Sequence, residues 1–122
     1  MSEPLSASGE SIEVHEAIAL ADAGEVWLLD VREPFEWISG HAPVAHHIPM
    51  GDLGLRQDEL PDDGTVIAVI CHLGSRSRRV TDALVQADYR VVDVAGGMVA
   101  WQAAGGAVRT ASTSAEGDEP TP

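Results

Sequence analysis

Val66-Ile67-Ala68-Val69-Ile70, followed at once by Cys71-His72-Leu73-Gly74-Ser75-Arg76-Ser77, is the stretch around which this chain is organised. Five apolar, mostly β-branched residues in a row fit a strand buried on both faces, as in a parallel sheet. Beyond the loop, Val80, Ala83, Leu84 and Ala87 recur at the spacing of one helix face. The only cysteine therefore sits at a strand's carboxyl end, in a short loop that opens a helix. Open parallel sheets place ligands at that edge, and helix-opening amides favour an anion there. Gly74 lets the backbone curl so that successive N–H groups point inward as an anion-binding nest. Arg76, Arg78 and Arg79 crowd the first turn, where each cation costs roughly 0.3–1 kcal/mol against the helix dipole. An anionic ligand would offset that repulsion. A lone cysteine is by default a buried, inert residue. The glycine, the arginines and the strand–loop–helix setting together favour a reactive thiol here.

Composition narrows the function classes. A chain of 122 residues is long enough for one core but not two. Hydrophobic content of 44% with only 4% aromatics implies an aliphatic core. The net charge of −13 argues against nucleic acid or an anionic membrane surface as partner. It also requires that an anionic substrate be captured by a local positive field against the global one. No apolar run is long enough for a transmembrane helix, and the start Met-Ser-Glu-Pro-Leu-Ser lacks the pattern of a signal peptide. A single cysteine excludes an internal disulfide and suits a reducing, cytoplasmic setting.

Taken in order, residues 1–10 are small and polar and read as an unstructured N-terminal segment. From Ser11 an extended piece leads to a helix with Val14, Ala17, Ile18 and Ala21 as its apolar stripe, ended by Gly24. Val26 to Val31 is a strand, and Glu33-Pro34-Phe35-Glu36-Trp37 starts a short helix with Pro34 in its first turn. Gly40 to Pro43 is a turn, Ala45 to Pro49 a short strand, Gly51 to Leu60 a helical or irregular link, and Pro61 to Gly64 a turn. After the central unit, Val91 to Val94 is the last strand, and Gly96-Gly97 leads into a helix from Met98 to about Ala104. This alternation predicts an α/β fold: a parallel sheet of about five strands with helices on both faces. The domain is expected over 11–109, with 110–122 an unstructured acidic tail.

These residues resemble the single-domain rhodanese family of sulfurtransferases over about residues 11–109. Leu28-Leu29-Asp30-Val31-Arg32-Glu33-Pro34 is similar to the family's opening strand motif, and Gly40-His41-Ala42-Pro43 to its next landmark. Ile48-Pro49-Met50 and Gly96-Gly97-Met98-Val99-Ala100-Trp101 fall where that family has them. The segment Cys71 to Ser77 resembles its active-site loop. The resemblance implies that Cys71 attacks the outer sulfur of a donor such as thiosulfate, giving a Cys71 persulfide. A thiophilic acceptor, cyanide or a thiol, then takes the sulfur. It further implies that main-chain amides of His72, Leu73, Gly74, Ser75, Arg76 and Ser77 stabilise the sulfur anion, and that Arg76 holds the anionic donor. No cofactor is called for. Two positions depart from the family pattern: Val44 and Asp88 stand where Gly is usual. An Asp in the left-handed region costs up to ~1 kcal/mol relative to Gly.

The same residues admit other readings. His46 and His47 are adjacent on a strand and so point to opposite faces. No second cysteine or paired carboxylate completes a metal site with His15, His41 or His72. His72 reads as a rim residue, and Asp30 and Arg32 as a polar network supporting the loop. Gly96-Gly97 reads as close packing rather than phosphate binding, and the three tryptophans as packing. A persulfide carrier serving a protein acceptor would use the same residues as a free sulfurtransferase. A Cys/Arg phosphatase or arsenate reductase is disfavoured by loop length. Four residues separate Cys71 from Arg76, where such enzymes use five to cradle a tetrahedral oxyanion.

Overall fold

Leu28, Ala68, Ile70, Val92 and Val94 face one side of a sheet whose other side carries Leu29, Ile67, Val69 and Val91. The computed structural model describes residues 5–110. Its strands are β1 (Ser8–Ile12), β2 (Trp27–Asp30), β3 (His46–His47), β4 (Ile67–Ile70) and β5 (Val91–Val94), in the order β1-β5-β4-β2-β3. All neighbours pair in parallel. The helices are α1 (Val14–Asp22), α2 (Pro34–Ser39), α3 (Ser75–Gln86) and α4 (Gly97–Ala103), and two single-turn 3₁₀ helices span Met50–Asp52 and Gln57–Glu59. The expected five-stranded α/β architecture is what forms.

Burial on both faces explains why the central strands read as unbroken apolar runs. On one face, Val14, Ala17 and Ala21 of α1 join Met98 and Trp101 of α4. On the other, Val80 and Leu84 of α3 join Ile48 and Leu60. The Val, Leu, Ile and Met side chains among them contribute roughly 1.5–3 kcal/mol each when fully buried. Trp101 is wholly enclosed, and its Nε1 donates to the Ala107 carbonyl at 2.9 Å. Past it, Arg109 and His41 exchange backbone bonds of 2.7 and 2.9 Å, which ties the end of the described chain to the turn after α2.

Strand β1 corrects one expectation. Ser8–Glu10 lie in a strand beside β5, not in an unstructured segment. The stretch is polar because its ordering comes from hydrogen bonds rather than apolar burial. The Glu10 carboxylate accepts the Ala7 and Ser8 amides and the Ser6 hydroxyl, and Arg78 of α3 donates to the Gly9 carbonyl. Of the same segment, Leu5 and Ala7 pack against the core, while residues 1–4 lie outside the described residues, as do residues 111–122 of the acidic tail expected over 110–122.

The topology places the site. From β2 the chain runs by α2 to β3 at one edge, whereas from β4 it runs by α3 to β5 on the other side. Adjacent strands β2 and β4 therefore send their connections in opposite directions, which opens a crevice at their carboxyl ends. Arg32 follows β2 and Cys71 follows β4. Among the described residues no helix is long and apolar enough to cross a membrane.

Candidate active site

Cys71 lies one residue beyond β4 and is buried, with 1% of its surface exposed. Its Sγ accepts the amides of Gly74 at 3.1 Å and Ser77 at 3.3 Å. The thiol donates to Ser77 Oγ at 3.4 Å, and the Ser77 hydroxyl donates to the Gly74 carbonyl at 3.1 Å. The loop can wrap the sulfur because Gly74 takes φ 124°, a conformation L side chains rarely adopt. Of the six expected loop amides, Gly74 and Ser77 are the ones bonded to Sγ. Ser77 is fully buried, while His72, Leu73 and Ser75 are exposed on the rim.

The loop rests on α4. Met98 N donates to the Cys71 carbonyl at 2.7 Å and Val99 N to the His72 carbonyl at 3.2 Å. These are helix-opening amides that would otherwise lack a partner. Contact is so close that a Cβ on Gly97 would fall 2.4 Å from both carbonyl oxygens. Gly96-Gly97 is thus a packing device, as expected.

Arg76 is where the structure adds most to the sequence reading. Its guanidinium forks onto the Glu36 carboxylate of α2, NH1 to Oε1 at 2.7 Å and NH2 to Oε2 at 2.9 Å. Arg78 pairs with Asp82 at 2.7 Å. The repulsion expected from crowded arginines is therefore met by the protein's own carboxylates at two of the three positions. The bond from Arg76 holds the Glu36 carboxyl at about 2, well below the usual range. Burial opposes that shift, and the Glu33 amide adds to it.

Glu36 did not stand out in the sequence as a site residue. The available signal was Glu33-Pro34-Phe35-Glu36, a helix start with Pro in the first turn and carboxylates three apart. In the structure this is a capping box, with the Glu36 carboxylate accepting the Glu33 amide at 2.9 Å. It fixes Glu36 at the head of a helix that starts beside the crevice.

Asp30 and Arg32 form a buried polar pair at the end of β2. Both are buried and bonded, Nε to Oδ1 at 2.9 Å and NH2 to Oδ2 at 2.7 Å. Arg32 also donates to the Glu36 carbonyl at 3.3 Å and the Gly40 carbonyl at 2.8 Å, so it clamps α2 against the end of β2. Two ion pairs therefore stand near the loop and α2, Asp30 with Arg32 and Glu36 with Arg76. A cleft of about 200 Å³ is lined by Arg32, Glu36, Ser39, His72, Met98 and Val99 among others. A larger, apolar groove of about 470 Å³ lies under the 3₁₀ turns and α3, and holds none of the predicted site residues.

The histidines are dispersed. His46 stacks on Trp27 with ring centres 4.0 Å apart, while Trp37 stacks on His41 at 3.5 Å and His47 at 4.6 Å. His46 and His47 thus take different partners, as alternation on a strand requires. Among the described residues no three of His, Cys, Asp and Glu gather where a metal ion could be held.

This arrangement has relatives. A model of the rhodanese-like domain family matches residues 13–104. A protein of Allochromatium vinosum named sulfurtransferase is 39% identical over 83 residues, 67% of this chain and 77% of its own. The crystal structure of a rhodanese-related protein from Thermoplasma volcanium superposes with a TM-score of 0.76 at 34% identity, covering 82% of this chain and 97% of that one. A thiosulfate sulfurtransferase from Pseudomonas aeruginosa gives 0.76 at 30% identity, covering 84% of this chain and 20% of that one. With the family match spanning the whole sheet from β2 onward and every loop that touches Cys71, the chain belongs to the rhodanese-like domain family.

Proposed function

We propose that the protein is a sulfurtransferase that carries sulfane sulfur on Cys71. The observation that carries this reading is the seat of Sγ: a buried sulfur at a strand end, bonded to the Gly74 and Ser77 amides within a four-residue loop. With so little of Cys71 exposed, a donor reaches it with a terminal atom more readily than with a tetrahedral centre. That favours sulfur transfer over phosphoryl or arsenate chemistry.

In the first half-reaction the Cys71 thiolate attacks the outer sulfur of the donor. With thiosulfate, an Sγ–S bond forms, the donor's S–S bond breaks, and sulfite leaves with the electron pair. The enzyme is left as a persulfide anion, whose charge the inward amides stabilise as they did the thiolate. In the second half-reaction cyanide or a thiolate attacks the outer sulfur and Cys71 leaves as thiolate. Arg76 gives two N–H groups to Glu36, and a guanidinium has five. The remainder can meet the donor. A protein acceptor would use the same sulfur, which makes a carrier role the neighbouring reading, in a cytoplasmic setting.

Thiosulfate:cyanide sulfur transfer by Cys71→Ser tests the proposal. Loss of turnover with an unchanged circular-dichroism spectrum is expected. Retained turnover would overturn the cysteine mechanism.

A further inference from the structure

Glu36 occupies the cation that the donor is meant to find. Its oxygens take one N–H from each terminal nitrogen of Arg76, and the Glu33 amide fixes one of those oxygens from the other side. Arg32 holds the helix itself, through the Glu36 and Gly40 carbonyls. The charges of the two ion pairs then balance against an incoming anion. Arg32 is matched by Asp30, Arg76 by Glu36, and the Glu33 carboxylate adds its field at Arg76. These two paired arginines offer a dianion little surplus positive charge, in a chain whose net charge is already −13. The amides of Gly74 and Ser77, by contrast, suit a single charge on sulfur.

We infer that Glu36 sets the donor preference of the site. By holding both terminal nitrogens of Arg76, it disfavours dianionic oxo-donors such as thiosulfate and favours persulfides, whose sulfane group carries at most one charge. The inference rests on Cys71 being the sulfur acceptor. With a persulfide R–S–SH, the Cys71 thiolate attacks the terminal sulfur, the Sγ–S bond forms and the donor S–S bond breaks. The thiolate R–S⁻ leaves with the electron pair, and the proton stays on the transferred sulfur. No oxidant or reductant is consumed.

The test is the rate at which Cys71 gains one sulfur, read by intact mass across a range of donor concentrations. The donors are thiosulfate and the persulfide of 2-mercaptoethanol. Glu36→Gln keeps an oxygen for the Glu33 amide and removes the charge. Its ratio of thiosulfate to persulfide loading efficiency should rise by at least about threefold, through a lower half-saturating thiosulfate concentration. Glu36→Asp keeps the charge, and its ratio should rise by less than that of Glu36→Gln. Because the persulfide is an internal reference, partial unfolding would lower both rates and leave the ratio in place. A ratio that rises by less than about threefold in Glu36→Gln, or as much in Glu36→Asp, overturns the inference. Should the wild-type protein take up sulfur from neither donor, the sulfur-transfer reading falls and this one with it.

Discussion

Arg76 and Glu36 meet fork to fork at 2.7 and 2.9 Å, joining residues 40 positions apart in the chain and tying the active-site loop to the helix after β2. The pair is partly exposed, at 28% for Arg76 and 18% for Glu36, so it lies toward the surface rather than in the core, with Glu36 lining the cleft. A lysine at position 76 would spend its compact charge on Glu36 and keep no planar fork for a donor. Arg76→Lys should therefore raise the half-saturating thiosulfate concentration severalfold, the equivalent of roughly 1–3 kcal/mol. Arg79→Ala, at an exposed position, should have a smaller effect that fades with added salt. Steady-state kinetics of both variants at two ionic strengths checks this.

The same ion pair links stability to pH. The Glu36 carboxyl is lowered to about 2 in the folded protein, chiefly by the Arg76 bond. Its unfolded value is near the ordinary ~4.3 of a glutamate. A lowered carboxyl contributes stability that is fully present above the unfolded value and is lost as pH falls through the folded one. The contribution is at most about 3 kcal/mol, reduced by the pair's partial exposure. Urea unfolding between pH 6 and 2.5 should show stability falling with acid, and Glu36→Gln should flatten that slope. An identical slope in both proteins would remove Glu36 from the linkage.

Gly97 sets how closely α4 can approach the loop. A methyl group there would collide with two carbonyl oxygens, and its φ of 61° is strained for any L side chain. Gly97→Ala should lower stability by about 1–3 kcal/mol and impair sulfur loading, because the loop must shift to accommodate it. Gly64→Ala is the control. Its φ of 91° carries the same kind of strain, but nothing lies within 4 Å of the added methyl. It should lower the melting temperature less and leave loading near the wild-type rate.

Much of this was legible in the chain. Val66–Ile70 announced a two-faced central strand, and Val80 and Leu84 announced the inner side of α3, because both are patterns of apolar burial. The seat of Cys71 followed from Gly74 and the strand–loop–helix order. Ser8–Glu10 and the Arg76–Glu36 pair were not legible for one shared reason. Each is ordered by specific polar contacts between distant segments, and those leave no period in the sequence. Asp88 is a middle case. Its place before Tyr89 suggested a left-handed helix cap, and the observed φ of 72° shows one.

That cap gives a further prediction. Asp88→Gly removes the left-handed penalty and should stabilise the fold by up to ~1 kcal/mol. Thermal unfolding should show a rise of a few degrees with sulfur loading unaltered. A lower melting temperature would mean that the carboxylate contributes more than its backbone strain costs.

The most direct measurement of the central claim is intact mass after incubation with a sulfane-sulfur donor, thiosulfate or a small persulfide, and removal of the excess. The wild-type protein should gain one sulfur atom, lose it on addition of cyanide, and gain none as Cys71→Ser. A sulfur adduct that persists in Cys71→Ser, or a folded wild-type protein that gains sulfur from neither donor, would contradict the account.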